Sequence, residues 1–186
     1  MRLAAPRIPP LSDDELDEEQ RTALHPFGNR VLNIFRTLAR APKALERFNQ
    51  WGGYILSRRN ALAPREREIV ILRTGYLCKS GYEWTQHAAL AKREGLSDDE
   101  IARIKQGAEA GWSAADAALI RACDELHEDQ FVSDSTWAAL AGHFDQKQCM
   151  DVVFTAAQYT QVSMMLNTFG VQLEAGQTLD PELKAY

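Results

Sequence analysis

Ala63-Pro64-Arg65-Glu66-Arg67-Glu68-Ile69-Val70-Ile71-Leu72-Arg73-Thr74-Gly75-Tyr76-Leu77-Cys78 reads as one helix, and a second follows at once from Tyr82 to Glu94. Pro64 suits a first helical position, where its missing N–H leaves no bond unmade. The break at Lys79-Ser80-Gly81 is too short for anything but a fold-back or an angled crossing of the two helices. In the second helix Glu83 and His87 are one turn apart and meet on one face. In the first, Glu68 and Leu72 share a face with Gly75, where a missing side chain lets the neighbouring helix approach and brings Glu68 towards His87.

Outward from this pair the pattern stays helical. Ser12-x-x-Glu15, Ser97-x-x-Glu100 and Ser113-x-x-Asp116 place a hydroxyl three residues before a carboxylate, as helix starts do. Gly95, Gly107 and Gly142 fall where helices stop. Leu45, Phe48, Gly52, Ile55 and Leu56 form one apolar stripe, and Ala115, Ala118, Leu119, Ala122 and Leu126 another. The stretch 146–173 carries apolar residues on more than one face, which predicts a helix that is central or buried in an oligomer. No segment alternates as a strand does. The expected helices are 12–25, 30–40, 43–58, 64–79, 81–94, 98–106, 114–128, 134–142 and 146–173. The fold class is therefore all-α, a single compact domain of eight or nine helices. It spans 12–175, after an extended arm at 1–11 that holds three of the seven prolines and before a tail at 176–186.

With 186 residues, 45% hydrophobic and 25% charged, the chain can bury an ordinary core. Its net charge of −5, without a basic patch interleaved with aromatics, speaks against nucleic acid as a partner. No apolar run reaches the roughly 18 residues that span a bilayer, so no membrane partner is expected. Met1-Arg2-Leu3-Ala4-Ala5-Pro6 lacks the apolar stretch of a signal peptide, and a cytoplasmic location is expected. Cys78, Cys123 and Cys149 show no Cys-x-x-Cys spacing, so neither a disulfide framework nor a metal site is indicated, and no cofactor is expected. Cys123 and Cys149 sit in apolar helical runs and read as buried small residues.

A carboxylate beside an imidazole fixes the ring tautomer and raises its basicity, which suits proton transfer near neutral pH. The same spacing also fits a solvated ion pair, and Glu68 also fits a charged first turn. Tyr76, Tyr82 and Trp84 fit packing as well as ligand contact. His127 and the helix-end residues His25 and His143 show no partner pattern of this kind.

Glu68, Arg73-Thr74-Gly75, Cys78, Tyr82-Glu83-Trp84 and His87, followed by Gly95-Leu96-Ser97-Asp98-Asp99-Glu100-Ile101, resemble the carboxymuconolactone decarboxylase-like family, whose superfamily includes the alkylhydroperoxidase-D-like proteins. Asn33–Arg40 and Leu166–Val171 extend the resemblance over most of the chain. It implies an alkylhydroperoxidase-D-like helical fold and a homo-oligomer, a trimer or hexamer, in which the last helix is partly an intersubunit surface. In the peroxidase branch a Glu, a Cys-x-x-Cys and a His form a relay. The Glu and His match Glu68 and His87, but the two cysteine positions fall on Ser80 and Glu83, and Cys78 lies two residues before the first of them. A dithiol cycle needs both thiols. In the decarboxylase branch a Glu stands four residues before the His, which Glu83 and His87 match.

The resemblance thus implies a cofactor-free lyase or isomerase acting on a small carboxylated or lactone-like molecule, with Glu68, Glu83 and His87 as catalytic residues. His87 would deliver or remove the proton, and Tyr82, Trp84 and Asn167 would line the substrate pocket. The alternatives are a thiol-dependent peroxidase using Cys78 with His87 as base, and a non-enzymatic oligomeric binding protein. His87→Ala is expected to abolish turnover while leaving helicity and oligomer intact.

Overall fold

Cap residues place most of the helices in the computed structural model, which describes residues 1–183. The order is α1 (Glu18–Leu24), α2 (Asn33–Leu38), α3 (Pro42–Ile55), α4 (Pro64–Leu77), α5 (Gly81–Arg93), α6 (Asp98–Ile104), α7 (Ala114–Glu128), α8 (Asp134–Ala141) and α9 (Gln146–Phe169). Short 3-10 turns occupy His25–Phe27 and Pro181–Leu183, and no strand occurs among the described residues. The all-helical class is as the sequence predicts. No helix is long and apolar enough to cross a membrane.

Two of the ends that differ from expectation do so for local reasons. Ser12 and Glu15 do pair, through the Ser12 N–H and hydroxyl, but they close a turn. The first helix starts six residues later, where Asp17 and Gln20 cap each other reciprocally. The last helix stops at Phe169 because Gly170 takes a left-handed conformation (φ 73°). The chain arm crosses there. Arg7 and Ile8 donate their N–H groups to the Phe169 carbonyl, and a Cβ on Gly170 would stand 3.1 Å from the Ala5 carbonyl oxygen.

The helix surrounded on all sides is α4, buried without interruption from Arg67 to Gly75, and α5, α7 and α9 pack around it. Helix α9 buries one side only, through Val152, Ala156, Tyr159, Val162 and Leu166, and leaves Met150 and Met164 exposed. The four consecutive charges that open α4 go four ways. Arg65 holds both Asp116 oxygens (2.9 and 3.1 Å) and Glu100 (2.6 Å). Glu66 accepts from the Ala63 N–H, Arg67 donates to the Ser57 carbonyl, and Glu68 turns inward to α5. Farther along, Arg73 fastens α4 to Asp124 and to the carbonyls that end α6.

The main core joins Ile69, Val70 and Leu72 to Ile104, Leu119, Ile120, Leu140 and Val152. Smaller clusters around Ile34, Tyr82 and Val162 and around Ile55, Ile71 and Tyr159 lie on the side where α2, α3, α5 and α9 face one another. After α9 the chain returns along that side. Asn33 donates its N–H to Glu174, Gln86 and Gln177 exchange amide hydrogen bonds, and Lys105 binds Asp180 and Glu182. Leu183 is fully buried, and residues 184–186 of the expected tail lie outside the described residues.

Candidate functional site

Lys79, with φ of 55°, reverses the chain between α4 and α5, and Ser80 donates its N–H back to the Gly75 carbonyl. This tight return sets α5 directly against α4. A Cβ on Gly75 would stand 3.1 Å from Glu83 Cγ and 3.5 Å from its Cβ. Glycine at 75 is therefore the residue that lets the two helices bring Glu68, Glu83 and His87 together.

His87 lies between the two carboxylates. Its Nδ1 is 2.8 Å from Glu68 Oε2 and its Nε2 is 3.1 Å from Glu83 Oε1. All three side chains are buried, and the Tyr159 ring stands edge-on to the imidazole at 4.9 Å. With Nδ1–H donating to Glu68, the contact with Glu83 holds one proton that belongs either to Nε2 or to the carboxyl group. Burial pushes the Glu83 carboxyl up to about 7, with the Glu68 charge adding to the rise and the His87 charge opposing it. Burial disfavours the His87 imidazolium, but the Glu68 hydrogen bond and both carboxylate charges outweigh it, and its pKa stands above the ordinary value. The two groups share that proton and titrate as a unit. Tyr159, buried and facing both carboxylates, stays protonated far above the ordinary tyrosine range.

A cavity of about 560 Å³ opens beside this triad, a size suited to a small molecule. Glu83 and His87 form part of its wall, with Tyr82, Gln86, Leu90 and Arg93 from the same helix. Helices α2 and α3 contribute Ile34, Phe35, Phe48, Gly52 and Ile55, α9 contributes Gln158, Tyr159 and Val162, and the returning chain adds Glu174 and Gln177. The wall is mainly apolar with a few polar groups, and the exposed guanidinium groups of Arg30 and Arg93 stand at it. Tyr82 donates its hydroxyl to Glu174 (2.8 Å), and burial followed by this carboxylate keeps it protonated.

The other residues singled out from sequence lie elsewhere. Trp84 faces the main core, with the Tyr76 ring 5.8 Å away and the Lys105 ammonium over its own ring. Asn167 donates to the Cys78 carbonyl (2.9 Å) and so caps the end of α4. Cys78 is half-buried, is not part of the cavity wall, and has its Sγ 3.8 Å from His127 Nδ1. Burial raises its pKa against the hydrogen bonds of Thr160 and Ser163, which disfavours the thiolate. Cys123 and Cys149 are buried, and burial pushes Cys123 up to about 12. Among the described residues no group of three or more His, Cys, Asp and Glu is arranged to hold a metal ion.

The all-helical fold matches that of AhpD-like structures. Residues 42–125, from α3 into α7, match the model of the Carboxymuconolactone decarboxylase family. Similar solved structures include the alkylhydroperoxidase AhpD core of an uncharacterized peroxidase-related protein from Ralstonia eutropha, at 19% identity and a TM-score of 0.79, over 91% of this chain and 93% of that one. Another is an uncharacterized peroxidase-related protein from Silicibacter, at 13% identity and a TM-score of 0.73, over 94% of this chain and 92% of that one. A third is the debrominase Bmp8, a cysteine-to-alanine variant in complex with 2,3,4-tribromopyrrole, at 12% identity and a TM-score of 0.73, over 92% of this chain and 94% of that one. At these identities the likeness establishes the fold. No curated protein matches the sequence.

The spacing of Gly75 to Glu83 has a direct consequence. Gly75→Ala is expected to keep the fold, because alanine favours a helix by roughly 0.5–1 kcal/mol over glycine. Its methyl group pushes Glu83 aside by a few tenths of an ångström, and turnover is expected to fall about tenfold, a modest share of what a 1 Å misplacement costs. Steady-state kinetics beside a thermal melt check this. Unchanged kcat would show that the Glu83 position does not matter.

Proposed function

We propose that the protein is a lyase or isomerase that needs no cofactor and moves a proton on a small carboxylated or lactone-like substrate. The observation that carries this reading is that both His87 nitrogens are committed to buried carboxylates while Glu83 also stands on the cavity wall. Glu83 is then the group that hands the proton to carbon or takes it away. His87 beside it on the wall and Glu68 behind hold the second proton site and spread the charge. A carboxyl poised near 7 is matched to such work, because donor and acceptor forms are both present at neutral pH.

Loss of carbon dioxide from a conjugated lactone acid leaves its electron pair in a dienolate. Glu83–H protonates the dienolate carbon, and the carboxylate recovers its proton from solvent. An isomerisation uses the same group to remove a proton and return it to another carbon. Arg30 and Arg93, which have no carboxylate partner among the described residues, suit a substrate carboxylate at the cavity mouth. The peroxidase alternative requires Cys78, whose raised pKa and place outside the cavity wall support the proton-transfer reading over it. The reading includes a homo-oligomer, supported by the exposed apolar residues Trp51, Met150 and Met164 on α3 and α9.

Incubating the protein in D2O with lactone acids and unsaturated carboxylic acids tests the reading by NMR. Deuterium is expected at a substrate carbon, with or without carbon dioxide release, and independently of added thiol. Reduction of a hydroperoxide accompanied by sulfenic acid at Cys78, with no deuterium incorporation, would contradict it.

A further inference from the structure

Gln158 is a buried residue of the cavity wall whose enclosed Oε1 has no hydrogen-bond partner, and no described residue accepts from its Nε2. It belongs to α9, one residue before the tyrosine that stands against His87. Its Nε2 lies beside Gly52 of α3, 3.8 Å from where a Cβ on that glycine would be. Three polar neighbours on the same wall are paired. Gln86 pairs with Gln177, Tyr82 with Glu174, and Glu83 with His87. A buried amide without a partner carries a desolvation cost that a neighbouring apolar residue would not, and in native proteins such groups are uncommon. Here the cost falls on the one buried neutral amide that shares a small-molecule cavity with the proton-transferring carboxyl.

We propose that Gln158 holds a carbonyl oxygen of the substrate through its amide N–H and stabilises the negative charge that gathers there as Glu83 moves the proton. This rests on the proton-transfer reading and narrows the substrate to a ring-sized, mostly apolar compound. Its carbonyl is conjugated to the reacting carbon. When the Glu83 carboxylate removes the proton, the C–H electron pair forms a carbon–carbon double bond. The carbonyl π pair moves to oxygen, where the Gln158 N–H meets it. Return of the proton from Glu83–H to another carbon restores the carbonyl. Nothing is oxidised or reduced and no co-reactant is consumed. A donor fixed in advance at the developing oxyanion acts in a water-poor site, where such a bond counts for more than in water.

The probe is 4-nitrophenol, whose phenolate copies an enolate oxygen on a flat ring and whose absorption reports its ionisation. The wild type is expected to bind it and to favour the phenolate over its proportion in solution. Gln158→Met keeps length and volume but offers no donor, and its affinity is expected to fall about tenfold, the worth of one hydrogen bond. The phenolate preference should vanish, while the melting temperature holds or rises because the unpartnered amide is gone. Gln158→Glu, isosteric and anionic, should bind the phenolate still more weakly. Equal affinity in wild type and both variants, or no binding to the wild type, overturns the proposal. The Glu83→Gln background separates the two readings. If that variant turns over normally while Gln158→Met still weakens phenolate binding, the role of Glu83 fails and the Gln158 site stands.

Discussion

Glu83→Gln is expected to lower kcat by about 10²–10⁴-fold, the usual worth of a positioned acid or base, with little change in KM. The amide keeps the shape of the side chain and a hydrogen bond to His87 but cannot exchange a proton with carbon. A second readout follows from the same group. Burial first of all holds the Glu83 pKa near 7, above the ordinary 4.5, so between these values the folded chain binds more protons than the unfolded one. Stability from this group is full below about pH 4.5 and is lost as pH rises through about 7. His87, raised from 6.5, acts in the same direction. The wild type should therefore lose stability between mildly acidic and mildly alkaline pH, on the order of 3 kcal/mol for a shift of this size. The glutamine variant should lose much less. Denaturant melts at pH 5 and pH 8 measure the difference, and parallel curves for the two proteins would show that Glu83 titrates in its ordinary range.

His87→Ala carries the largest stability effect. It removes the imidazole that bonds, through its two nitrogens, two carboxyl groups that are each nearly inaccessible to solvent. Breaking a buried pair by deleting one partner costs about 3–5 kcal/mol, because the remaining charge is left uncompensated. The cost is expected at both pH 5 and pH 8. Turnover should be lost at both values. The variant thus tests more than catalysis. From spacing alone it is expected to leave helicity intact, but the burial of the triad predicts a much lower melting temperature. A melt at pH 8 within a degree or two of the wild type would mean that the triad carries no charge.

Helix order and the Glu83–His87 contact were legible because both are local. A spacing of four residues puts two side chains on one face whatever the tertiary structure, and the glycine at 75 marks where another helix can approach. Trp84 shows where a local reading needs the full helix wheel. Tyr82, Gln86, Leu90 and Arg93 share the cavity-facing side of α5, and a residue two positions beyond Tyr82 points away from it, into the core. Asn167 sits about two turns beyond the cavity residues Gln158 and Tyr159 on α9, where it meets the end of α4. The cavity itself was not legible. Its wall joins α3, α5, α9 and the chain after Gly170, segments far apart in sequence, and no local pattern sets Gln158 apart from the apolar residues around it.

The central claim is that a carboxyl on the cavity wall exchanges its proton near neutral pH with an imidazole bound on both sides. Infrared difference spectra taken across pH 5 to 9 on the wild type and on Glu83→Gln test it most directly. The wild type should show a protonated carboxyl band that disappears with a midpoint near pH 7, and the band should be missing from the variant. A wild-type spectrum with every carboxyl already ionised at pH 5, or the same neutral-range band in both proteins, would contradict the account.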